Sequence, residues 1–388
     1  MIYHFNLKKI LKFFRANFYF EKPVKNDIII FDKVGSEIIQ SYLKQKASVL
    51  EVRLESINIF ILLKAILNFK NDKSALQNYI FNFIVYVNPK FIITHVDNNE
   101  FFFKLKKNFP KIKFIAIQNG SSLANLPKDQ LNLKSWHVDY FFVYSDSYKL
   151  AYEKFVEGKI INIGSLINNH KEISYRDNIE KQIIFISQYR KKLKNNKKFY
   201  NFKDKYFSWE DYRSAEKKAI EFLSKYCLKK NIKLCIAGVY DRINSQEKKF
   251  YSSIIGNISE KLVWEFKPKI NKWNSYNLID NALVVVFVDS ALGYQSLARK
   301  NKTVSFSIRS QYLSHPQLKF GWPSSFEEEG PFWSNFFTEN KFEKILDNII
   351  SLPKKDWENL LEKYQDKLLN YDPGNTKFKN ILNEVLHI

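Results

Sequence analysis

Short apolar runs and longer amphipathic runs alternate along the whole chain. In the first half, β-branched and aromatic runs bounded by polar residues predict strands at Asp27–Phe31, Ser48–Val52, Phe91–His95, Phe114–Ile117, Tyr140–Val143 and Ile160–Ile163. Helical spacing predicts helices between them at Gly35–Gln45, Ile57–Leu67, Ala75–Val87, Asn99–Asn108 and Tyr148–Val156.

The second half repeats this alternation. Strands are predicted at Gln182–Ser187, Lys233–Ala237, Leu262–Glu265, Ala282–Val288 and Thr303–Ser307. Helices are predicted at Trp209–Lys229, Glu247–Ile254, Ser275–Asn281, Gly293–Arg299 and Phe342–Leu352.

Strands that alternate with helices predict βαβ units and mostly parallel sheets. A chain of 388 residues is too long for one ordinary core. We therefore expect an α/β protein with two Rossmann-like, doubly wound domains that face a cleft, at residues 27–167 and 182–353. The polar, aperiodic residues 168–181 are the predicted linker. Residues 1–26 form a basic amphipathic segment, and residues 354–388 a helical tail broken at Asp372-Pro373-Gly374.

Glycine and polar residues gather where the predicted strands end. The chain has ten glycines, and five of them follow a strand directly: Gly35, Gly120, Gly164, Gly238 and Gly293. The polar residues that accompany them include Asp32, Ser36, Asn119, Asp289 and Ser290. A βα turn needs glycine for its own geometry, which is the better explanation for any one of these turns. The whole set favours a ligand cleft, because open α/β sheets bind ligands at the carboxyl ends of their strands.

Arginine is scarce, with eight residues against 54 lysines, so its placement is informative. Arg53, Arg190 and Arg309 each follow a predicted strand on the ligand-facing edge. A guanidinium suits phosphate or carboxylate. For each of these arginines taken singly, a surface ion pair is the better explanation. Arg190 and Arg309, near Ser290 and a helix N-terminus, are the predicted anion-binding pair.

Carboxylates at two places are candidates for catalysis. The third strand closes on His95, Asp97 and Glu100, and a His or carboxylate there could act as a general base. A helix cap explains at least one of these residues equally well. Glu329 ends a run of three glutamates in a Gly/Pro-rich loop, which could bind sugar hydroxyls or be a solvated acidic loop.

The net charge of +22 does not predict nucleic-acid binding. The basic residues are overwhelmingly lysine in a chain also rich in Asn, Ile and Phe, which indicates a bias of the whole sequence. Nucleic-acid readers favour arginine, and no nucleic-acid-binding motif is present. Cys227 and Cys235 read as small buried hydrophobes, with no disulfide or metal spacing.

The N-terminus carries a second feature of interest. Phe5–Phe20 mixes lysine with Phe, Leu and Ile at roughly helical spacing. It predicts either an interfacial amphipathic helix or a helix packed on the protein. No run of about 18 uncharged apolar residues is present, so no membrane span is predicted. We expect a cytoplasmic protein, with peripheral contact at the cytoplasmic face of the inner membrane as one interpretation.

Several enzyme classes lack their signatures here. The sequence has no P-loop, no GxGxxG, no GxSxG elbow and no kinase motif. An Asp-x-Asp metal-binding motif does not occur at a convincing strand end. We therefore expect no cofactor and a metal-independent reaction.

Five stretches carry a resemblance to a known group of proteins. They are Phe31–Glu37, Ile117–Gly120, Phe185–Arg190, Val288–Tyr294, and Phe320–Pro323 with the Glu-Gly-Pro-Phe-Trp run that follows. From about residue 25 to its end, the chain resembles bacterial surface carbohydrate biosynthesis proteins, encoded among lipopolysaccharide and capsule genes. More distantly it is similar to two-domain glycosyltransferases of GT-B architecture, including the Kdo transferases.

The resemblance implies a nucleotide-sugar donor in the C-terminal domain and a glycan or lipid-linked glycan acceptor in the N-terminal domain. Carried over by position, the donor site holds Gln188, Arg190, Asp289, Ser290, Gly293 and Glu329. Asp32, Asp97 and Asn119 would face the cleft from the other side. CMP-Kdo or a related ulosonic acid is the preferred donor, and a UDP- or GDP-sugar the next.

Other functions fit the same shape. A nucleotide-sugar epimerase would need paired acid and base groups around the donor and no acceptor. A polyol-phosphate transferase is a further enzyme alternative. A membrane-associated scaffold without catalysis would suit the Phe/Lys-rich N-terminus. If the protein is a glycosyltransferase, Asp97 is the first candidate for the base that activates the acceptor hydroxyl. Glu100 and Glu329 are the next candidates.

Overall fold

The structure is a computed structural model that describes residues 14–120, 136–174, 180–192, 199–202, 205–241, 246–258, 260–271 and 273–386. Its strands are β1 (Asn17–Tyr19), β2 (Ile28–Phe31), β3 (Ser48–Leu50), β4 (Ser56–Asn58), β5 (Phe91–Thr94), β6 (Lys113–Ile117), β7 (Trp136–Val143), β8 (Val156–Asn162), β9 (Glu180–Ile186), β10 (Tyr200–Phe202), β11 (Lys205–Phe207), β12 (Lys233–Ala237), β13 (Trp264–Lys267), β14 (Ala282–Phe287), β15 (Thr303–Phe306), β16 (Glu329–Gly330) and β17 (Trp333–Ser334).

Its α-helices are α1 (Ser36–Gln40), α2 (Ile59–Leu67), α3 (Ala75–Val87), α4 (Glu100–Asn108), α5 (Asp146–Tyr152), α6 (Leu166–His170), α7 (Trp209–Lys230), α8 (Gln246–Gly256), α9 (Asn274–Asp280), α10 (Ala291–Ala298), α11 (Arg309–Leu313), α12 (Glu339–Ser351), α13 (Lys354–Leu368) and α14 (Thr376–Leu386). Apart from the N-terminal segment, every predicted strand overlaps an observed strand and every predicted helix overlaps an observed helix. The elements that the pattern missed are short. The missed strands have two or three residues each, and the missed α-helices have five.

The first of two compact units contains the described residues up to Val143, then Lys149–Ile167, then the end of the chain from Asn375. Its sheet has the order β3-β2-β5-β6-β7-β8, and all neighbouring strands are parallel. The central strands β2, β5 and β6 are nearly continuous apolar runs, as expected for a parallel sheet covered on both faces.

The second unit contains residues 144–148 and 168–374. Its sheet has the order β13-β12-β9-β14-β15-β17-β16, parallel except for the last pair. In both sheets the first strand along the chain, β2 or β9, has later strands added on either side. Each sheet therefore has a topological switch point, between β2 and β5 and between β9 and β14. The α/β class and the two Rossmann-like domains are confirmed.

The N-terminal segment differs from its prediction. Residues 5–13 of the predicted amphipathic helix lie outside the described residues. Asn17–Tyr19 is a strand, not a helix, and pairs in parallel with Ser56–Asn58. The backbone N–H of Asn17 donates to the carbonyl of Glu55 at 3.0 Å, which fixes the start of this pairing. Tertiary pairing thus overrides the helical spacing here.

The predicted linker is held firmly where it is described. The guanidinium of Arg299, fully buried, donates to the carbonyl of Lys171 at 2.8 Å and to that of Glu172 at 3.1 Å. Its charge is paired with Asp280 at 2.5 Å. Residues 168–174 therefore belong to the body of the second unit.

The predicted tail is divided between the two units. Helix α13 belongs to the second unit, and α14 packs on the sheet of the first. Phe378 of α14 is fully buried and meets the rings of Tyr42 and Phe142 edge-on, with centroids 5.5 and 5.1 Å away. The helix closes the core formed by β2, β5 and β6.

The turn after β2 needs a glycine. Gly35 has φ +75°, and a Cβ at this position would overlap the ring of His95. His95 is almost fully buried, and its Nδ1 has no hydrogen-bond partner among the described residues. Burial lowers the pKa of this imidazole to about 4. The first unit therefore encloses a histidine that is neutral at physiological pH.

Truncating Phe378 to alanine should lower the free energy of unfolding of the first unit by about 3–5 kcal/mol, because a buried aromatic ring is lost and a cavity remains. Urea denaturation measures this change. Asn380→Ala, on the exposed face of the same helix, is the matched control and should change stability little. Equal effects of the two substitutions would contradict the packing of α14 described above.

Acid should destabilise the protein through His95. The unfolded chain binds a proton near pH 6.5, whereas the folded protein binds it only near pH 4. Stability should therefore fall as the pH drops from about 6.5 to about 4, by up to roughly 3 kcal/mol. His95→Leu should flatten this part of the stability–pH profile, measured by urea denaturation. Parallel profiles for variant and wild type would exclude His95 as the cause.

Candidate functional site

A pocket opens at the carboxyl ends of β9, β12 and β14 in the second unit, beside the switch point of its sheet. It has a volume of about 350 Å³. Three turns and one helix supply its walls. The turn after β9 contributes Gln188 and Arg190, the turn after β12 contributes Gly238 and Tyr240, the turn after β14 contributes Ser290, and helix α7 contributes Tyr212. Chain crossovers leave the sheet in opposite directions at such a point, which opens a crevice between the turns. The structure thus brings together in one pocket four residues that the sequence placed at strand ends facing a ligand: Gln188, Arg190, Gly238 and Ser290.

Ser290 begins helix α10 at the edge of this pocket. Its hydroxyl accepts a hydrogen bond from the backbone N–H of Leu292 at 3.3 Å, as an N-cap residue does. Gly293 lies in the first turn of the helix, and a Cβ there would overlap the ring of Phe287 on β14. The glycine therefore lets the helix pack closely on its strand, whereas the sequence suggested close approach of a ligand.

Arg309 differs most from its prediction. It is fully buried, so it lies behind the pocket wall. Its Nε donates to Asp289 at 2.8 Å, and its Nη2 donates to Glu216 at 2.9 Å. Nη1 donates to the carbonyl of Tyr212, whose ring lies 4.2 Å from the guanidinium carbon. Burial opposes the charge, but Asp289, Tyr212 and Glu216 outweigh it and raise the pKa of the guanidinium.

Gln188 and Asp289 join the two strands at the switch point. The side-chain oxygen of Gln188 accepts a hydrogen bond from the backbone N–H of Asp289 at 3.2 Å and from Arg309 at 3.4 Å. Asp289 is therefore a positioning residue for the ends of β9 and β14. Its Oδ1 is buried and has no partner among the described residues.

A second buried arginine, Arg213, belongs to the same network. Its Nη1 donates to Glu216 at 2.5 Å, so Glu216 lies between Arg213 and Arg309. The Nε and Nη2 of Arg213 are buried without a partner among the described residues. The guanidinium stands 4.8 Å from the ring of Tyr212 and 5.8 Å from that of Tyr189, two residues of the pocket wall. The guanidinium therefore contacts two aromatic residues that line the pocket.

The network continues to the turn after β12. The hydroxyl of Tyr251 donates to Glu216 at 2.9 Å, and Ser187 donates to Glu247 at 2.5 Å. Glu247 also accepts the backbone N–H groups of Val239 at 2.9 Å and of Tyr240 at 3.2 Å. Burial raises the pKa of Glu247, although these hydrogen bonds oppose the shift. The carboxylate thereby fixes the turn that forms one side of the pocket.

Sequence reasoning missed Arg213, Glu216 and Glu247. All three are buried on helices α7 and α8, where inward positions are expected to be apolar. The available signal was the scarcity of arginine, since Arg213 stands three residues before a glutamate inside a long helix.

Arg190, unlike Arg309, is exposed. It lines the pocket, and its guanidinium carbon lies 5.2 Å from the centroid of the Tyr212 ring. Its backbone carbonyl accepts a hydrogen bond from the indole of Trp209 at 2.7 Å. The side chain is therefore placed against an aromatic wall and remains accessible to an anion.

In the first unit, the residues predicted for the acceptor side follow β2, β5 and β6, which are neighbours in its sheet. Asp32 has a backbone φ of +83°, and its carboxylate accepts a hydrogen bond from Nε of Arg53 at 2.8 Å. Ser36 is buried at the start of α1, beside the Gly35–His95 contact. Asp97 is buried and accepts the hydroxyl of Tyr152 at 3.0 Å. Asn119 is exposed after β6.

The two glutamates predicted for catalysis lie elsewhere. Glu100 pairs with Lys104 at 2.5 Å, one turn further along α4, and is partly exposed. Glu329 is exposed on β16, the edge strand of the second sheet, and pairs with Lys341. Neither residue lines the pocket described above. Their ion pairs are those of an ordinary protein surface.

The described residues contain neither a membrane-spanning helix nor a cluster of metal ligands. No described helix is both long enough and apolar enough to cross a bilayer. Within the same residues, His, Cys, Asp and Glu side chains form no group of three that could hold a metal ion.

Comparison with solved structures shows the fold. The wall teichoic acid polymerase TagF aligns with a TM-score of 0.52 and 12% identity, over 94% of this chain and 88% of that chain. UDP-GlcNAc 2-epimerase from Methanocaldococcus jannaschii gives 0.53 and 11%, over 94% and 100%. A glycosyltransferase from Rickettsia africae gives 0.51 and 11%, over 94% and 99%. At this identity the likeness establishes the two-domain GT-B fold alone.

Comparison at the level of sequence shows the family. No curated protein sequence matches the chain significantly. A profile of the family described as "putative O-antigen biosynthesis protein" matches residues 115–386, which is well over half of the chain. The chain therefore belongs to this O-antigen biosynthesis family.

Proposed function

We propose that the protein is a glycosyltransferase that moves a sugar from a nucleotide-activated donor to a surface-polysaccharide or lipopolysaccharide acceptor. Its GT-B fold and its O-antigen biosynthesis family support this reaction class. The observation that carries the proposal is the pocket beside the switch point of the second sheet, with Arg190 and the start of α10 at its edge. The acceptor is a glycan or a lipid-linked glycan.

The leaving nucleotide phosphate would bind in this pocket. Arg190 offers a planar, exposed guanidinium, and the start of α10 offers the positive end of its helix dipole. The guanidinium of Arg213 contacts two aromatic residues that line the same pocket. In the proposed mechanism these groups stabilise the negative charge that develops on the leaving group, so no metal cofactor is required.

The donor is proposed to be CMP-Kdo or a related ulosonic acid, with UDP- and GDP-sugars next. This choice comes from the sequence resemblance. The pocket volume lies within the range of about 300–1,000 Å³ that is typical of small-molecule sites.

Asp97 is the proposed base that would take the proton from the acceptor hydroxyl. It follows the carboxyl end of β5, two residues after His95, whereas Glu100 and Glu329 are held in surface ion pairs. Asn119 and Ser36 complete the proposed acceptor side. A neutral His95 beside this edge is the second candidate for the base.

Two other enzymes of the same fold need different substrates. An epimerase converts its nucleotide sugar without any acceptor, and a polyol-phosphate transferase uses a nucleotide-activated polyol. Incubation of the protein with donor alone, and with donor plus glycan, separates these reactions by mass spectrometry of the products. A transferase yields an extended glycan and free nucleotide only in the second mixture.

Nucleotides should stabilise the protein against heat. CMP, UDP and GDP, and their sugars, are compared by thermal shift and calorimetry. Arg190→Ala should weaken binding of the preferred donor roughly tenfold or more, since a charge-assisted hydrogen bond contributes about 1.5–3 kcal/mol. Lys192→Ala, exposed and paired with Glu210, is the matched control. The donor proposal fails if no nucleotide or nucleotide sugar changes the melting temperature.

Asp97→Asn should lower kcat by a factor on the order of 10²–10⁴, as expected when a general base is lost. Tyr152→Phe removes the hydrogen bond to Asp97 and leaves the carboxylate in place. It should therefore cost stability with a much smaller loss of kcat. Similar kcat losses in both variants, together with similar losses of stability, would give Asp97 a structural role only.

A further inference from the structure

Helix α2 presents an apolar face in the first unit that the other described residues leave exposed. Its nine residues contain one polar side chain, Lys64. Ile61 and Ala65 are buried and attach the helix to the unit. On the other side, Leu63, Ile66 and Leu67 are 56%, 62% and 84% exposed. A helix that faces only water would carry polar residues at these positions.

Neighbouring apolar residues extend this face. Strand β1 pairs with β4 directly before α2, so that Tyr19 stands opposite Asn58, the N-cap of the helix. The side-chain amide of Asn58 donates to the carbonyl of Glu21 at 2.7 Å and holds the chain after β1 in place. Phe20 and Val24 in this stretch are 77% and 75% exposed. We call Phe20, Val24, Leu63, Ile66 and Leu67 the apolar ridge.

Lysines surround the ridge. The ammonium groups of Lys22 and Lys64 lie 5.5 and 5.1 Å from the centroid of the Phe60 ring. Lys25 lies 5.8 Å from that of Tyr86, on the helix packed against α2. Residues 14–25 and 59–73 together hold Arg15 and five lysines against two acids, Glu21 and Asp72. Exposed leucine and isoleucine with a cationic border match the boundary of a bilayer that contains anionic lipid.

We propose that the apolar ridge docks the first unit on the surface of an anionic lipid bilayer, with its apolar side chains in the headgroup region and its lysines against lipid phosphates. A second copy of the chain fits this surface less well. A two-fold interface would place these lysines against their own counterparts, which is electrostatically unfavourable. Lysine is also depleted in protein–protein interfaces.

Docking of this kind would serve the proposed reaction. If the acceptor is a lipid-linked glycan, it is confined to a membrane surface. Attachment through the first unit would then hold the enzyme where its acceptor is concentrated. The docking proposal itself rests on the ridge and not on the donor chemistry.

Flotation of the full-length protein with lipid vesicles tests the proposal, in the absence of any nucleotide. Vesicles of phosphatidylglycerol and phosphatidylethanolamine are compared with vesicles of phosphatidylcholine alone. The wild type should bind the anionic vesicles far more strongly. Combined Leu63→Ser, Ile66→Ser and Leu67→Ser should weaken that binding on the order of tenfold or more, because three apolar side chains no longer enter the lipid.

A variant that combines Lys22→Gln, Lys25→Gln and Lys64→Gln should lose most of the preference for anionic lipid. Leu150→Ser is the matched control, since Leu150 is 63% exposed on another helix of the same unit. Its binding should equal that of the wild type. Circular dichroism melts check that each variant is folded.

Three results would overturn the proposal. The first is that the triple serine variant binds vesicles like the wild type. The second is that light scattering finds a wild-type dimer that the serine variant converts to monomer, with vesicle binding unchanged. The third is that deletion of residues 1–13 abolishes vesicle binding while the serine variant retains it. Because no donor is present, each of these outcomes leaves the transferase proposal standing.

Discussion

The guanidinium of Arg309 is the group on which the pocket of the second unit depends. One buried side chain contacts the turn after β14 through Asp289, the turn after β9 through Gln188, and helix α7 through Glu216 and the carbonyl of Tyr212. Parallel strands fix only the direction of the turns that leave them. The charge of Arg309 fixes the positions of these turns relative to one another, since it pairs with both Asp289 and Glu216, and Glu216 is held further by Arg213.

The switch point of the first unit is organised by different contacts. Asp32 is buried, but its partner Arg53 is half exposed, so the ion pair lies at the surface of the unit. Packing of Gly35 against His95 and a hydrogen bond from Thr94 to the carbonyl of Phe31 at 2.8 Å hold β2 and β5 together there. The two switch points are thus held in different ways. Buried ion pairs hold the one in the second unit, whereas close packing and a hydrogen bond to the backbone hold the one in the first.

The sequence was most informative where local chemistry decides the structure. Strands buried on both faces are readable as apolar runs, and Ser290 is readable as a cap before a helical run. The sequence also placed Gln188, Arg190 and Ser290 at one edge, because the carboxyl ends of parallel strands coincide. Gly293 illustrates a limit of that reasoning, since its cause is the ring of Phe287, which only the packed structure reveals.

Long-range contacts were beyond the sequence for a physical reason. Arg213 and Glu216 look like an exposed helical ion pair until the fold buries them together with Arg309. The exposure of Leu63 and Leu67 was equally hidden, because an apolar stripe on a helix normally indicates core. Strands of two or three residues, such as β1 and β17, show no measurable alternation. They form because a neighbouring strand offers its backbone.

The return of α14 to the first sheet has a consequence for synthesis on the ribosome. Most domains can complete their cores as soon as their own residues have emerged. Here the interior around Phe142 and Tyr42 waits for Phe378, made after the entire second unit. During translation the first unit therefore exposes a hydrophobic groove for longest, while the second unit can already be native. Nascent chains stalled before residue 376 would be natural clients for chaperones that recognise such grooves.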